Sequence, residues 1–121
     1  MNYEVINIKG EEYKLRLGSV HQIALEKKLG KPILMVIAEM QESGKELESF
    51  YLETVLTIFA ALLKKHHKEI KEKDVFDLYD DFVDEGGDAI LLFTHVVQAL
   101  LVSGVIPKEA TMAQLQQNQQ K

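Results

Sequence analysis

The chain has 121 residues, a mass of 13.8 kDa and a formal charge of −5, with a pI near 5.3. That length suits one domain with a real core, and the acidic balance argues against nucleic-acid phosphate as the main ligand. With no cysteine, the chain carries no disulfide, thiol nucleophile or zinc thiolate site, which is compatible with a reducing cytoplasm.

Residues 2–17 read as a β-hairpin. Tyr3, Val5, Ile6 and Ile8 lead to Lys9-Gly10, and Tyr13, Leu15 and Leu17 alternate with Lys14 and Arg16 on the return. Gly10 supplies the positive φ of a tight turn. A lone hairpin is marginal in water, so this one is expected to pack on helices or pair with another strand. The opening MNYEVINIKG has no basic-then-apolar signal pattern.

Ser19-Val20-His21-Gln22 matches a capping box, with Ser19 as N-cap, and opens a helix that runs to about Leu29 and stops at Gly30. Pro32 is expected as the first residue of a short apolar helix reaching Met40, with Gln41–Lys45 as a loop. A long helix is predicted from about Glu46 to Lys65, with Leu47, Phe50, Tyr51, Val55, Ile58, Phe59 and Leu62 on one face. Residues 64–73 then hold five lysines against Glu69 and Glu72, while 74–88 hold seven acids and no cation. Asp74–Glu85 reads as an amphipathic helix ended by Gly86-Gly87.

Asp88 and Gly104 bound the next helix as N-cap and stop. Ile90, Phe93, Thr94, Val97 and Leu101 form its expected buried stripe, yet Leu91, Leu92, Val96, Leu100 and Val102 leave little polar surface elsewhere. Such a helix is normally wrapped by neighbours, so it is expected at the centre of the core, completed by other helices or another subunit. It spans roughly 24 Å against ~30 Å of bilayer hydrocarbon, so no membrane span is expected. Residues 107–121 are polar and glutamine-rich and read as a flexible tail on a single domain, 1–106. The expected class is α+β, mainly α, with an N-terminal hairpin packed on about five helices.

No catalytic, cofactor or metal site is predicted. Adjacent His66 and His67 point about 100° apart on a helix and lack i, i+4 ligand spacing, so they read as solvated helix-end residues. The acidic run fails the calcium-loop pattern, since placing Gly86 at its sixth position puts Val83 at the third. It reads as solvated surface or a docking face for a basic partner. His95 with Gln98 reads as a partly buried, hydrogen-bonded histidine, because a general base would need a nucleophile or carboxylate brought by another helix. Ser19, Ser43, Ser49 and Ser103 sit in no nucleophile elbow. The broad apolar faces of residues 33–40, 50–63 and 88–104 exceed what one small bundle hides, and they point to protein–protein contact.

The order of parts carries a resemblance. A hairpin with EEYKLRL leads into a helix ending LEKKLGKP, followed later by DVFDLYDDFVDEGGD and VVQALLVSGVIP. From about Tyr3 to Ile106 this resembles the small tail assembly chaperones of long-tailed, siphovirus-type phages and prophages of Gram-positive bacteria. The resemblance implies a non-enzymatic protein of the host cytoplasm, without cofactor, that coats the tape measure protein and keeps it soluble and extended. Major tail subunits then polymerise around that client, and the chaperone leaves before the mature virion. It also implies, in many members, a longer product made by translational frameshifting, near whose junction the end QLQQNQQK would fall. Self-association through the basic 64–73 and acidic 74–88 segments suits repeated binding along a long client. The alternative is a structural tail or joining protein retained in the virion.

Overall fold

The computed structural model describes residues 2–43 and 49–107. In chain order these form β1 (Glu4–Ile8), β2 (Glu11–Leu15), α1 (Ser19–Leu29), α2 (Ile33–Ser43), α3 (Ser49–Leu63), α4 (Glu72–Asp84) and α5 (Ala89–Val102). The described chain is α+β and mainly α, a two-stranded hairpin followed by five helices. Gly44 and Lys45 of the expected loop, Leu47, the side chains of Phe50 and Tyr51, and the tail beyond Pro107 lie outside the described residues.

The antiparallel ladder closes with Ile8 opposite Glu11, which leaves Lys9 and Gly10 as the two loop residues. Both have positive φ, 52° and 79°. That is the type I′ geometry whose twist matches paired strands. Residues directly opposed share a face, so Glu4, Ile6 and Ile8 lie with Leu15, Tyr13 and Glu11. Ile6, Ile8 and Leu15 on that face are buried. The hairpin docks by its exit, where the Arg16 N–H donates to the Leu62 carbonyl (3.0 Å) at the end of α3. The Leu17 N–H donates to Ser103 Oγ (2.8 Å) just past α5.

The centre of the core is α3, not α5 as the sequence suggested. Val55, Leu56, Ile58, Phe59 and Ala60 to Leu63 are all buried, because α1, α4, α5 and β2 pack around this helix. In α5 the buried stripe is Leu92, Val96, Ala99 and Leu100. The expected stripe is therefore wrong by one position: Ile90 and Thr94 are exposed, and Phe93, Val97 and Leu101 are half-buried. A helix apolar on every side has two competing stripes of the same period, and only the neighbours choose between them.

Helix ends show the same division. Asp88 caps α5 as expected, its carboxylate accepting from the Leu91 N–H at 2.8 Å. Ser19 does not cap α1: the N-cap is Gly18, extended and without a side-chain bond. The residue before that N-cap, Leu17, is the one fastened to Ser103. Pro32 is likewise outside the first helical position, and its carbonyl accepts from Val36. Glu26 of α1 supplies the missing cap, accepting the Ile33 N–H at 2.9 Å. Helix α2 also runs on to Ser43, past the expected boundary at Met40.

At the α4–α5 corner, the Gly86 and Gly87 N–H groups return to the Val83 and Phe82 carbonyls, each at 2.9 Å. This is a Schellman closure with Gly86 at φ 98°. Gly87 has a different task. An added Cβ would lie 2.5 Å from the Phe82 ring, so the corner packs by having no side chain there. Among the described residues no single helix is long and apolar enough to cross a membrane. Helices α4 and α5 meet that test only as a pair bent by 117°.

Candidate functional site

His95 is the partly buried, hydrogen-bonded histidine the sequence suggested, and its partner comes from the hairpin, not from another helix. Glu4, on the inner face of β1, places Oε2 3.0 Å from His95 Nδ1, and both side chains are half-buried. The edge of the Phe82 ring closes over the imidazole, centroid to centroid at 6.3 Å. Gln98, the expected neighbour, is exposed. The pair fastens β1 to α5. Ser103 is equally structural, since its hydroxyl also donates to the Ala99 carbonyl at 2.7 Å.

His67 corrects a sequence expectation. It is half-buried rather than solvated, and its Nε2 accepts the Lys14 N–H at 2.9 Å. Accepting there requires the neutral ring with its proton on Nδ1. His66 is the exposed member, its ring edge-on to that of Tyr3 with centroids 5.5 Å apart. Partial desolvation, and then the nearby cations Lys14, Lys65 and Arg16, push its pKa below the ordinary 6.5. Among the described residues no cluster of three or more His, Cys, Asp or Glu is arranged to hold a metal.

The acidic run does more than face solvent. The Asp74 carboxylate accepts the Lys71 N–H (2.9 Å) at the start of α4, and Asp88 caps α5. Glu85 accepts the Lys9 N–H and ties the hairpin tip to the end of α4. Asp77 and Asp80 remain exposed on the outside of α4.

Apolar surface survives folding, though not where periodicity located most of it. Helix α3 hides nearly all of its described length, whereas α2 exposes Leu34 and Met35 and the first turn of α5 exposes Ile90 and Leu91. Two helices not expected to expose apolar side chains also do so: Val20 (74%) and Ile23 on α1, and Phe76 (61%) and Val83 on α4. Helix α4 was legible as amphipathic. Nothing in its spacing distinguished the buried Val75 and Phe82 from the exposed Phe76 and Val83.

Phe76 stands at the lip of an open groove of about 580 Å³ between α3 and α4. Its floor is Leu52, Leu56 and Ala60 of α3 with Val75 and Tyr79 of α4. Leu52, Leu56 and Ala60 recur every fourth residue, so they align along one face and end in a small side chain. Glu53 stands on the α3 side, Asp80 and Glu72 on the α4 side. Lys28 is also in the lining, but its ammonium pairs with Glu72 at 2.9 Å, which holds the Glu72 carboxyl below its usual range. Burial, then Asp88 and Asp80, raises the Tyr79 phenol. The groove is apolar inside and negative at its edge. Such a surface suits binding a side-chain stripe.

Comparison of the chain with protein-family models, with curated proteins and with solved structures gives no match.

Proposed function

We propose that this chain is a non-enzymatic tail assembly chaperone of a long-tailed phage or prophage, which binds the tape measure protein and keeps it soluble and extended. The observation that carries the reading is uncovered apolar surface on four helices, α1, α2, α4 and the start of α5, together with the α3–α4 groove. Contiguous exposed apolar surface is the usual mark of a protein partner, and the open groove with Phe76 exposed at its lip provides it. A long hydrophobic client threatened by aggregation is a partner of that kind. The order of the hairpin, the helix ending LEKKLGKP and the DVFDLYDDFVDEGGD corner adds the family resemblance. The further partners are major tail subunits, other copies of this chain and a longer frameshifted form. The working compartment is the host cytoplasm, and the chain is absent from the mature virion.

The test is co-expression with the neighbouring tape measure protein, followed by affinity capture of this chain. The tape measure protein is expected to stay soluble only in the presence of this chain and to be captured with it. If it is insoluble or absent from the capture, even with any longer form supplied, the proposal fails. Detecting this chain by mass spectrometry in purified particles would favour the virion component instead.

A further inference from the structure

We infer that the α3–α4 groove docks one amphipathic helix whose apolar stripe is flanked on both sides by lysine or arginine. The inference rests on the client-binding reading only in taking the occupant to be a protein segment. Three features define that occupant.

The floor is apolar and long in the helix direction, from Leu52 through Leu56 to Ala60. It therefore matches side chains spaced at i, i+3 or i+4 and i+7 on a facing helix. Phe76 projects at the lip with most of its ring in water. An aromatic side chain at a groove edge gains most when a partner covers it. The rim fixes the partner's charge. Glu53 and Asp80 stand on opposite walls, and neither has an ion-pair partner among the described residues. The one cation among the groove's described lining residues, Lys28, is already engaged by Glu72. A helix lying stripe-down brings its flanking residues to both walls at once. Ammonium or guanidinium groups there meet free carboxylates, whereas glutamates would meet like charge.

The probe is a fluorescein-labelled synthetic helix with leucines at i, i+3, i+4 and i+7 and lysines on both flanks. A second probe carries glutamates in place of the lysines. Anisotropy with the full chain is expected to show saturable binding of the lysine probe, weakened by salt, and none of the glutamate probe. Phe76→Ser should weaken binding at least about tenfold, as loss of an aromatic anchor does. Because Phe76 is exposed, this variant should keep the wild-type melting temperature, which a melt verifies. Glu53→Gln with Asp80→Asn should weaken binding and flatten its salt dependence.

Equal binding of the two probes, or Phe76→Ser binding as wild type does, overturns the inference. So does a dimer that Phe76→Ser converts to monomer, because the groove is then filled by a second copy. The same variant in tape measure capture separates the two readings. Probe binding without capture by the wild type removes the chaperone and leaves the groove. Capture by Phe76→Ser as strong as by wild type removes the groove as the client site and leaves the chaperone.

Discussion

Gly87→Ala tests the packing that sets α4 against α5 and, through α4, the wall of the groove. The new Cβ would lie 2.5 Å from Cδ2 and Cε2 of Phe82 and 2.8 Å from its Cζ. Non-bonded carbons rest about 3.5–4.0 Å apart, so the ring or the turn must give by about 1 Å. Neither moves freely. Phe82 is buried, its ring lies against His95, and its carbonyl accepts the Gly87 N–H. Overpacking of this kind costs about 1–3 kcal/mol, or roughly 3–6 °C in melting temperature per kcal/mol at this chain length. Phe82→Leu removes the clashing ring atoms, so the double variant should recover at least about 1 kcal/mol relative to additivity. Gly86→Ala serves as the control. Its Cβ meets nothing, but its φ of 98° disfavours any side chain. That variant should lose about 1–2 kcal/mol whatever stands at residue 82. Urea denaturation followed by circular dichroism measures all of these. A Gly87→Ala loss below about 0.5 kcal/mol, or an additive cycle with Phe82→Leu, refutes the reasoning.

Lys9→Asn should stabilise the hairpin by about 0.5 kcal/mol, since asparagine tolerates the left-handed turn position better than lysine. The Lys9–Asp84 contact it gives up is 4.0 Å long and exposed, and such pairs contribute little; a lower melting temperature would contradict this. His66 is held below 6.5 by desolvation and nearby cations, so just below that pH the unfolded chain takes up a proton that the native state refuses. Stability should fall as pH drops from 6.5 toward the lowered native value, and His66→Gln should reduce that slope; melts in which it is unchanged would reject the assignment. His95→Ala should lose about 1 kcal/mol with the Glu4 contact and still capture the tape measure protein. If it captures the client but abolishes phage production, a purely structural His95 is ruled out. Glutamate at Lys64, Lys65 and Lys68 should lower the oligomer size at low salt, and an unchanged sedimentation profile would dispose of the charge-edge idea.

What the sequence disclosed follows from how locally each feature is decided. Lys9-Gly10, Gly30, Asp88 and Gly104 act within a few residues of themselves, and all sit where the sequence placed them. Pro32 failed because α2 is capped from outside, by Glu26 of α1, and Ser19 failed because the N-cap of α1 falls one residue earlier, at Gly18, with no side-chain cap. The α5 stripe failed for another reason: two apolar stripes were available, and the choice belongs to α3. The Glu4–His95 contact joins residues at opposite ends of the chain, so no spacing rule reaches it. One signal was present in β1, where Glu4 breaks the apolar face of Ile6 and Ile8. A carboxylate in that position calls for a partner.

The fold also sorts the acidic run into groups that are used and groups that are not. Asp74, Glu85 and Asp88 accept backbone N–H groups. Asp84 approaches Lys9. Asp77 and Asp80 have no such folding task among the described contacts, and both lie within four residues of Phe76. The apolar side chains of α4 divide in the same way, with Val75 and Phe82 in the core and Phe76 and Val83 outside it. Free carboxylate and free aromatic surface thus fall on the same helix, beside the groove it shares with α3. Of the other acids of the run, Asp74, Asp84, Glu85 and Asp88 each hold a contact within the fold. The chemistry left over on α4, apolar with negative edges, is what a basic amphipathic client would read.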